Sequence, residues 1–497
     1  MSTTDPALDQ LNLDDANHTL KELIAHAQAY GFIYPSSEIY DGLQSIYDYG
    51  PYGVALKRNL QNFWWQSMTQ LHQNIVGIDA AIMMHPTTWQ ASGHIDGFTD
   101  PMVDNKDSQK RYRVDILIEE HAAQLIAKGQ ATQAQALIEE MEACLQAGNL
   151  TGLDQLLETF AIACPLSKTT DWTPVRQFNL MFSTQVGAQN DATTIYLRPE
   201  TAQGIFVNFL NVQKTARMKI PFGIAQVGKA FRNEIVARQF TFRMREFEQM
   251  EMQFFIQPGT EKRWFEYWQE TRKNWYSSLG IEPQKLNLHP HKQLAHYATA
   301  AVDIEYAFPF GYKEVEGIHS RTDFDLKRHA HYAKKRLQYF DPDLQEHYTP
   351  YVIETSAGLD RLVLMVLSNA LTKTNNPTEE KEHRTYLKLP PPLAPIKAAI
   401  FPLVKKDGLA EKALALFHQL KYDFPLIYEE AQSIGKRYTR QDLIGTPYCI
   451  TIDYQTLEDE TVTIRERDSM TQRRCNIAEI ADHLHATTSI KSLLARF

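Results

Sequence analysis

The stretch FRNEIVARQFTFRMREFEQMEMQFF, residues 231–255, constrains the fold more than any other part of the chain. From Thr241 onward its side chains alternate. Arg243, Arg245, Phe247, Gln249, Glu251 and Gln253 fall on one face of an extended strand. Met244, Met250, Met252 and Phe254 fall on the other, with Glu246 and Glu248 among them. The methionine face reads as core. The opposite face is a polar row with one aromatic ring, as expected where a sheet floors a binding site. Arg232 and Glu234 alternate likewise on a preceding strand, and IVARQFT joins the two. Taken alone, this row also fits an exposed antiparallel face laced with cross-strand ion pairs. Arginines beside a flat ring suit a triphosphate and a base, because guanidinium forks match phosphate oxygens and a ring can stack on adenine.

Two further segments favour the binding site. IYLRPETAQGIFVNFL (195–210) reads as a strand, a turn at Pro199 and a helix from about Thr201, leaving Glu200 at the strand end. PYVIETSAGLDRLVLMVL (350–367) is again strand then helix. Ser356, Ala357 and Gly358 are small enough for a ligand to approach the backbone. Arg361 falls in the first helical turn, where the dipole disfavours a cation unless an anion is bound nearby.

The 497 residues are 43% hydrophobic and 22% charged with a net charge of −9, an ordinary globular composition. The acidic balance argues against indiscriminate DNA coating but leaves room for basic stripes, at 229–245 and at HSRTDFDLKRHAHYAKKR (319–336). No apolar run suits a membrane span, and the acidic first thirty residues lack the marks of a signal or transit peptide. The expectation is a soluble, cytoplasmic protein. Cys144, Cys164, Cys449 and Cys475 are far apart, so neither a disulfide framework nor a cysteine-based zinc site is expected. LPPPLAP (389–395) reads as an extended linker to a small α/β domain. Residues 115–150, rich in Ala, Gln, Glu and Leu, read as a helical insertion. The expected division is 1–114 and 173–388 for the main body, 115–172 for the insertion and 393–497 for the C-terminal domain.

FRNE…FRMREFEQME resembles motif 2 of the class II aminoacyl-tRNA synthetases, and GLDRLVL resembles motif 3. GFIYPSSEIYDGLQSIYDYGPYGVALKRNLQNFWW (31–65) is similar to the glycyl enzymes' motif 1, with Pro51 as its proline. RPETAQGIF, EVEGIHSRTDFDL, GKRYTRQDLIGTPYCITID and DETVTIRERDS resemble the single-chain, homodimeric glycyl-tRNA synthetases in particular. The resemblance covers nearly the whole chain outside the insertion. It implies an α+β fold: an antiparallel sheet of six or seven strands with flanking helices, and a C-terminal α/β anticodon-binding domain. It implies a homodimer that makes glycyl-adenylate from glycine and ATP with Mg2+, then moves glycine to the terminal adenosine of tRNA(Gly). No zinc, membrane or DNA is expected.

Carried over by matched position, the resemblance makes Arg232, Glu234 and Arg361 the catalytic residues. Arg232 bridges the α-phosphate and the glycine carboxylate, Arg245 reaches the terminal phosphates, and Phe247 and Arg361 sandwich adenine. Asn233, Phe242, Arg243, Glu314, Val315, Gly358, Leu359 and Asp360 complete the ATP site, and Glu314 and Glu354 are the magnesium-side acids. Arg113, Glu200, Phe247, Glu248, Gln249, Glu251, Glu354, Ser356 and Gly358 are assigned to glycine, with Glu316 adding negative charge. Extra carboxylates hold the ammonium, and filled space must exclude alanine, since one methyl in an apolar pocket is worth only ~1–3 kcal/mol.

The chain departs from the family in two places. Some relatives carry cysteines where this one reads VDNKDSQKRYRVD, and many have a proline before the arginine of the motif 2 loop, here IVARQF. His319, His329 and His331 are not spaced as a metal site and read as a solvated or RNA-facing basic face. Trp64 and Trp65 read as core or dimer interface. Lys436, Arg437, Tyr438 and Arg440 in GKRYTRQD read as RNA contacts or a solvated turn. Two rival readings are a non-catalytic relative, such as a mitochondrial DNA polymerase accessory subunit, and a synthetase for another small amino acid. The first should have lost the ATP arginines and glycine acids kept here, and the RPETAQGIF and EVEGI wording disfavours the second.

Overall fold

The computed structural model describes residues 19–188, 192–235, 239–291, 294, 297–375 and 383–497. The acidic N-terminus and the centre of the motif 2 loop (236–238) lie outside the described residues. The body is built on a seven-stranded sheet in the spatial order Leu286–Pro290, Ala300–Phe308, Gly311–Thr322, Tyr351–Gly358, Glu246–Ile256, Phe222–Phe231 and Ile75–Gly77. Every neighbouring pair is antiparallel except the last, which is parallel. This is the sheet that the alternation predicts. Met250, Met252, Phe254, Ile318, Ile353 and Ala357 fill one face. The helices Pro51–Thr69, Glu261–Ser278 and Leu359–Ala370 supply buried residues to the same core, including Phe63, Trp268 and Leu362.

The key strand is shorter than its sequence suggests. Its pairing ends at Glu246 opposite Phe231. Before it, Phe240–Phe242 form a 3-10 turn that buries both phenylalanines in the core. Arg232, Glu234, Arg243 and Arg245 therefore sit beyond the paired ends, at the rim of the sheet. Trp64 is fully buried within its own chain, so it belongs to the core, and Trp65 lies so close to Gly77 that a Cβ there would meet its ring at 2.1 Å.

The helices Val114–Ala127, Ala131–Gln146 and Leu150–Thr159 form the expected insertion, but their core also takes Val103 and Val175. The three-stranded sheet Lys110–Arg113, Thr99–Asn105, Arg176–Asn179 thus packs with them as one unit. The VDNKDSQKRYRVD loop is closed by hydrogen bonds. Asn105 Oδ1 accepts from Ser108 N at 2.9 Å and from Ser167 Oγ at 2.8 Å, and Ser108 Oγ lies 3.4 Å from Cys164 Sγ.

The C-terminal domain has five strands in the order Leu426–Tyr428, Ala398–Pro402, Tyr448–Ile452, Thr461–Glu466 and Gln472–Asn476, the first three parallel. Two expectations about it are corrected. LPPPLAP is not an extended tether: Leu393 N donates to Pro390 O at 2.8 Å, and residues 392–395 are buried. Extended proline chain leaves its carbonyls unpaired, and here those carbonyls have donors. Lys397 Nζ donates to Pro392 O (2.6 Å), Ala394 O (2.9 Å) and Pro391 O (3.4 Å), while Asn59 Nδ2 donates to Leu393 O (3.1 Å) and Ala394 O (3.2 Å). Burial lowers the Lys397 pKa to about 7, although three carbonyl acceptors match the three protons of an ammonium.

GKRYTRQD is neither a turn nor an exposed RNA face but part of the helix Ile434–Ile444. Arg437 is buried, donating to Pro402 O (2.7 Å), Glu429 O and Leu403 O (both 3.2 Å). Tyr438 OH lies 2.7 Å from Thr451 Oγ1, and Arg440 pairs with Glu429 at 2.8 Å. Lys436 alone of the four is exposed. Among the described residues no helix is long and apolar enough to cross a membrane.

Candidate active site

A cavity of about 340 Å³ opens where the strands 246–256, 311–322 and 351–358 end. Its floor follows from the period of two. Gln249 pairs with Gly358, Glu251 with Ser356 and Gln253 with Glu354, and Ser356 and Glu354 pair in turn with Gly317 and His319. A polar stripe therefore runs inward from the cavity between buried strands.

The rim is cationic and aromatic. Arg113, Arg232, Arg243 and Arg361 line it with Phe242 and Phe247. The Arg232 guanidinium lies 5.3 Å from the ring centres of both Phe98 and Phe247, and its Nε donates to Pro199 O at 3.1 Å. Arg361 lies over Phe242 at 4.4 Å and pairs with Glu314 Oε2 at 2.9 Å. The Arg361 charge holds the Glu314 carboxyl below the usual range. Arg113 is fixed between Asp100 (3.1 Å) and Asp115 (2.5 Å). Glu234, Glu248, Gln249, Ser356, Gly358 and Asp360 complete the expected residues on this cavity.

Several expected residues are placed differently. Phe247 and Arg361, the two residues assigned to adenine, both line the cavity, with Arg361 against Phe242 at 4.4 Å and Arg232 against Phe247 at 5.3 Å. Arg245 does not line the cavity, because its guanidinium serves Glu234 O (2.9 Å) and Gln44 O (3.3 Å); Arg243 occupies the rim instead. Asn233 also lies off the cavity, with its backbone N–H on Leu180 O at 2.7 Å. The side chains of Val315 and Leu359 are core, so only their backbones are available to a ligand.

Glu248 pairs with Lys57 at 2.9 Å, away from the face of Gln249 and Glu251. Asp360 accepts from Tyr49 OH (2.6 Å), Lys57 Nζ (2.9 Å) and Glu248 N (2.7 Å), locking the 51–69 helix to the 359–370 helix. Glu316 faces the other side of the sheet, fully buried against Arg272 (2.6 Å) and Tyr276 OH (2.8 Å). Glu314 and Glu354 cannot share one ion. With Glu316 opposite Ala357 and His319 opposite Glu354, they stand about five residues, roughly 16 Å, apart along the strands.

Glu200, Glu251 and Glu354 do meet, beneath the cavity floor. Glu354 accepts from His319 Nδ1 (2.8 Å), Arg321 Nη1 (2.9 Å) and Gln253 Nε2 (2.6 Å). Burial alone would raise its pKa, but Arg321 and His319 outweigh it and hold the carboxylate far below the usual range. Burial likewise opposes ionisation of Glu200, yet His94 and Arg321 bring it down to about 2. Glu251 goes the other way. Burial, then the charges of Glu354 and Glu200, push it well above the ordinary range, and it is held by Thr201 Oγ1 and by Gln253 Nε2 at 2.9 Å. The three crowded acids are thus driven apart, Glu200 and Glu354 downward and Glu251 upward.

Sequence reasoning missed the second layer. His94, Gln203, Arg321 and Asp325 hold these acids: Gln203 Nε2 donates to Glu200 Oε1 (2.9 Å) and Asp325 Oδ1 (3.1 Å), and Arg321 chelates Asp325 with two bonds of 2.9 Å. His319 and His329 are internal, His329 lying 2.7 Å from Gln203 Oε1, so only His331 fits the solvated face expected for the three. Alternation along 317–321 was the available signal, since it puts Gly317, His319 and Arg321 on the site face.

An antiparallel sheet with an arginine-rimmed cavity over buried acids, joined to a separate α/β domain, defines a class II aminoacyl-tRNA synthetase. The model of the tRNA synthetase class II core domain (G, H, P, S and T) matches residues 182–370, and that of the anticodon binding domain matches 397–487. Glycyl-tRNA synthetase insertion domain 1 matches 100–136 and 128–180. The glycine–tRNA ligase of Chlorobaculum tepidum is 52% identical over 469 residues, 94% of this chain and 99% of that protein. Those of Treponema denticola (46%; 97% and 99%) and Geobacillus kaustophilus (49%; 93% and 97%) are similar to it too. The chain belongs to the glycyl-tRNA synthetase family. Among solved structures, that titled the RNA binding domain of threonyl-tRNA synthetase from Cryptosporidium parvum Iowa II shares the fold, with a TM-score of 0.61 at 15% identity, covering 94% of this chain and 98% of that one.

Proposed function

We infer that the chain is a glycine–tRNA ligase that condenses glycine with ATP, releases pyrophosphate, and passes the glycyl group to the terminal adenosine of tRNA(Gly), releasing AMP. One observation carries this reading: a single cavity has a cationic, aromatic rim and a floor beneath which three glutamates meet. The rim suits a nucleoside triphosphate and the floor suits an ammonium. In this reading Arg232, on the cavity rim, bridges the α-phosphate and the glycine carboxylate as the carboxylate oxygen attacks phosphorus. Its work is electrostatic, stabilising charge that grows in the transition state. Arg243 and Arg361 neutralise the outer phosphates, and the half-buried Phe247 offers a face for adenine. Glu314, at the rim and paired with Arg361 alone among the described residues, fits a Mg2+ carried in by ATP, since that ion keeps several waters and takes one or two carboxylates. Bound there, Mg2+ would neutralise phosphate charge. Glu354, with both oxygens committed, fits a role in fixing the glycine pocket instead.

Glycine-dependent pyrophosphate exchange tests the reading. Among a panel of amino acids, glycine should give the fastest exchange and alanine should be rejected by clash. Equal rates with alanine or serine would overturn it.

The raised pKa of Glu251 adds a pH signature. Burial and the neighbouring carboxylates raise the Glu251 pKa and an arriving ammonium lowers it, so below the raised pKa glycine binding releases a proton. The apparent KM for glycine should therefore fall as pH rises, by up to about tenfold per pH unit below the Glu251 pKa. Glu251→Gln should flatten that dependence. An unchanged slope in the variant would assign the proton elsewhere.

The chain is also proposed to work as a cytoplasmic homodimer whose C-terminal domain reads the anticodon. Ile39, Tyr40 and Leu43 are largely exposed in the motif 1 region, and a partner copy would cover them. Sedimentation at about twice the chain mass checks the dimer.

A further inference from the structure

The helix Phe324–Ala333 presents two chemically different sides. Its inner side carries Asp325 and His329, one turn apart, and both are buried. Asp325 is bound by Arg321, which also holds Glu354, and His329 meets Gln203, which also holds Glu200. That side is part of the scaffold of the glycine pocket.

The outer side is basic. Lys327, His331, Lys334, Lys335 and Arg336 are exposed on the helix and the turn that ends it, and no Asp or Glu occurs between residues 326 and 340. Asp323 neutralises Lys327 at 2.7 Å. Lys334, Lys335 and Arg336 make no ion pair among the described residues. Lys334 has left-handed backbone at φ 52°, so the chain turns there and the three cations cluster at the helix end. Arg328 is fixed to the body through Ala91 O at 2.8 Å and lies 5.1 Å from the ring centre of the exposed Tyr332. Beside the helix is a concavity of about 430 Å³ whose walls include Tyr297, Phe324, Arg328 and His331.

We propose that this outer side docks the acceptor arm of the tRNA, its phosphates against Lys334, Lys335 and Arg336 and an unpaired nucleotide in the adjoining aromatic concavity. The inference rests on the ligase reading above, which requires the terminal adenosine to reach the glycyl-adenylate. The phosphates leading into that end must then run close to the pocket, and this helix braces, through Arg321 and Gln203, the acids beneath the pocket floor. A cationic cluster on a chain of net charge −9 is a local attractor for phosphate. Rings beside cations suit single-stranded RNA, whose bases stack on aromatic side chains.

The test is the triple variant Lys334→Gln, Lys335→Gln, Arg336→Gln in the full chain, assayed with tRNA(Gly) transcript across a salt series. The KM for tRNA should rise about tenfold or more, and the slope of log KM against log salt should fall by roughly one for each phosphate no longer neutralised. Glycine-dependent pyrophosphate exchange should stay within about twofold, and the charge-conserving variant Lys334→Arg, Lys335→Arg, Arg336→Lys should recover tRNA affinity. An unchanged tRNA KM and salt slope would overturn the proposal while leaving the ligase reading intact. Loss of exchange together with charging would also overturn it, placing these residues in the fold. Absence of glycine-dependent exchange in the unsubstituted protein would instead refute the ligase reading.

Discussion

Replacing Arg232 by alanine is expected to slow glycine-dependent pyrophosphate exchange by about a hundredfold to a thousandfold, the usual loss when one preorganised donor to a transition state is removed. The side chain is held by Pro199 O and between two rings, so little reorganisation is needed when charge develops. Arg232→Lys should recover only part of the rate, because an ammonium cannot span phosphate and carboxylate as a fork does. Arg232 is half-buried at the rim, where truncation opens no cavity in the core, so the unfolding curve should not move. Exchange within about fivefold of the unsubstituted rate, in a folded variant, would remove Arg232 from the chemistry.

Replacing Arg272 by leucine is expected to cost about 3–5 kcal/mol of stability, since it strands Glu316 without a cation in the core. Both side chains are wholly buried, and Arg272 holds the carboxylate through two bonds, of 2.6 and 3.1 Å. Tyr276 OH would remain as a donor, which is too little to solvate a buried charge. The double variant Arg272→Leu, Glu316→Leu should recover most of the loss, because an apolar pair of similar volume needs no desolvation. Urea unfolding followed by tryptophan fluorescence measures both, with Trp275 packed 4.6 Å from the Arg272 guanidinium. A single variant within about 1 kcal/mol of the parent would show that the pair contributes little.

These two arginines also mark what the sequence reveals and what it hides. Local period makes the floor legible: alternation alone puts Phe247, Gln249, Glu251 and Gln253 on one face, and the strand-to-helix step at Gly358 delivers Arg361 to the rim. The same rule, applied to 314–322, would have set Glu316 beside Ile318 on the core face. Resemblance instead sent it to the glycine pocket. The Glu316–Arg272 pair and the Lys57–Asp360 tie join residues far apart in the chain, and no local pattern announces which distant cation meets which acid. GKRYTRQD shows the converse. Its composition suggests a surface that grips RNA, yet Arg437 is drawn inward because the ends of two strands leave carbonyls that need a donor.

The buried proline segment sets the reach of the whole molecule. Lys397 and Asn59 fasten its carbonyls, and across the same joint Arg384 grips Asp442 at 2.9 Å while Arg467 donates to Leu389 O at 2.8 Å. A hinge needs loose backbone, and here the backbone is bolted down from both sides. On the reading proposed above, the joint acts as a caliper: these ties set the span between the arginine-rimmed cavity and the far domain, and a tRNA that engages both must bend to fit it.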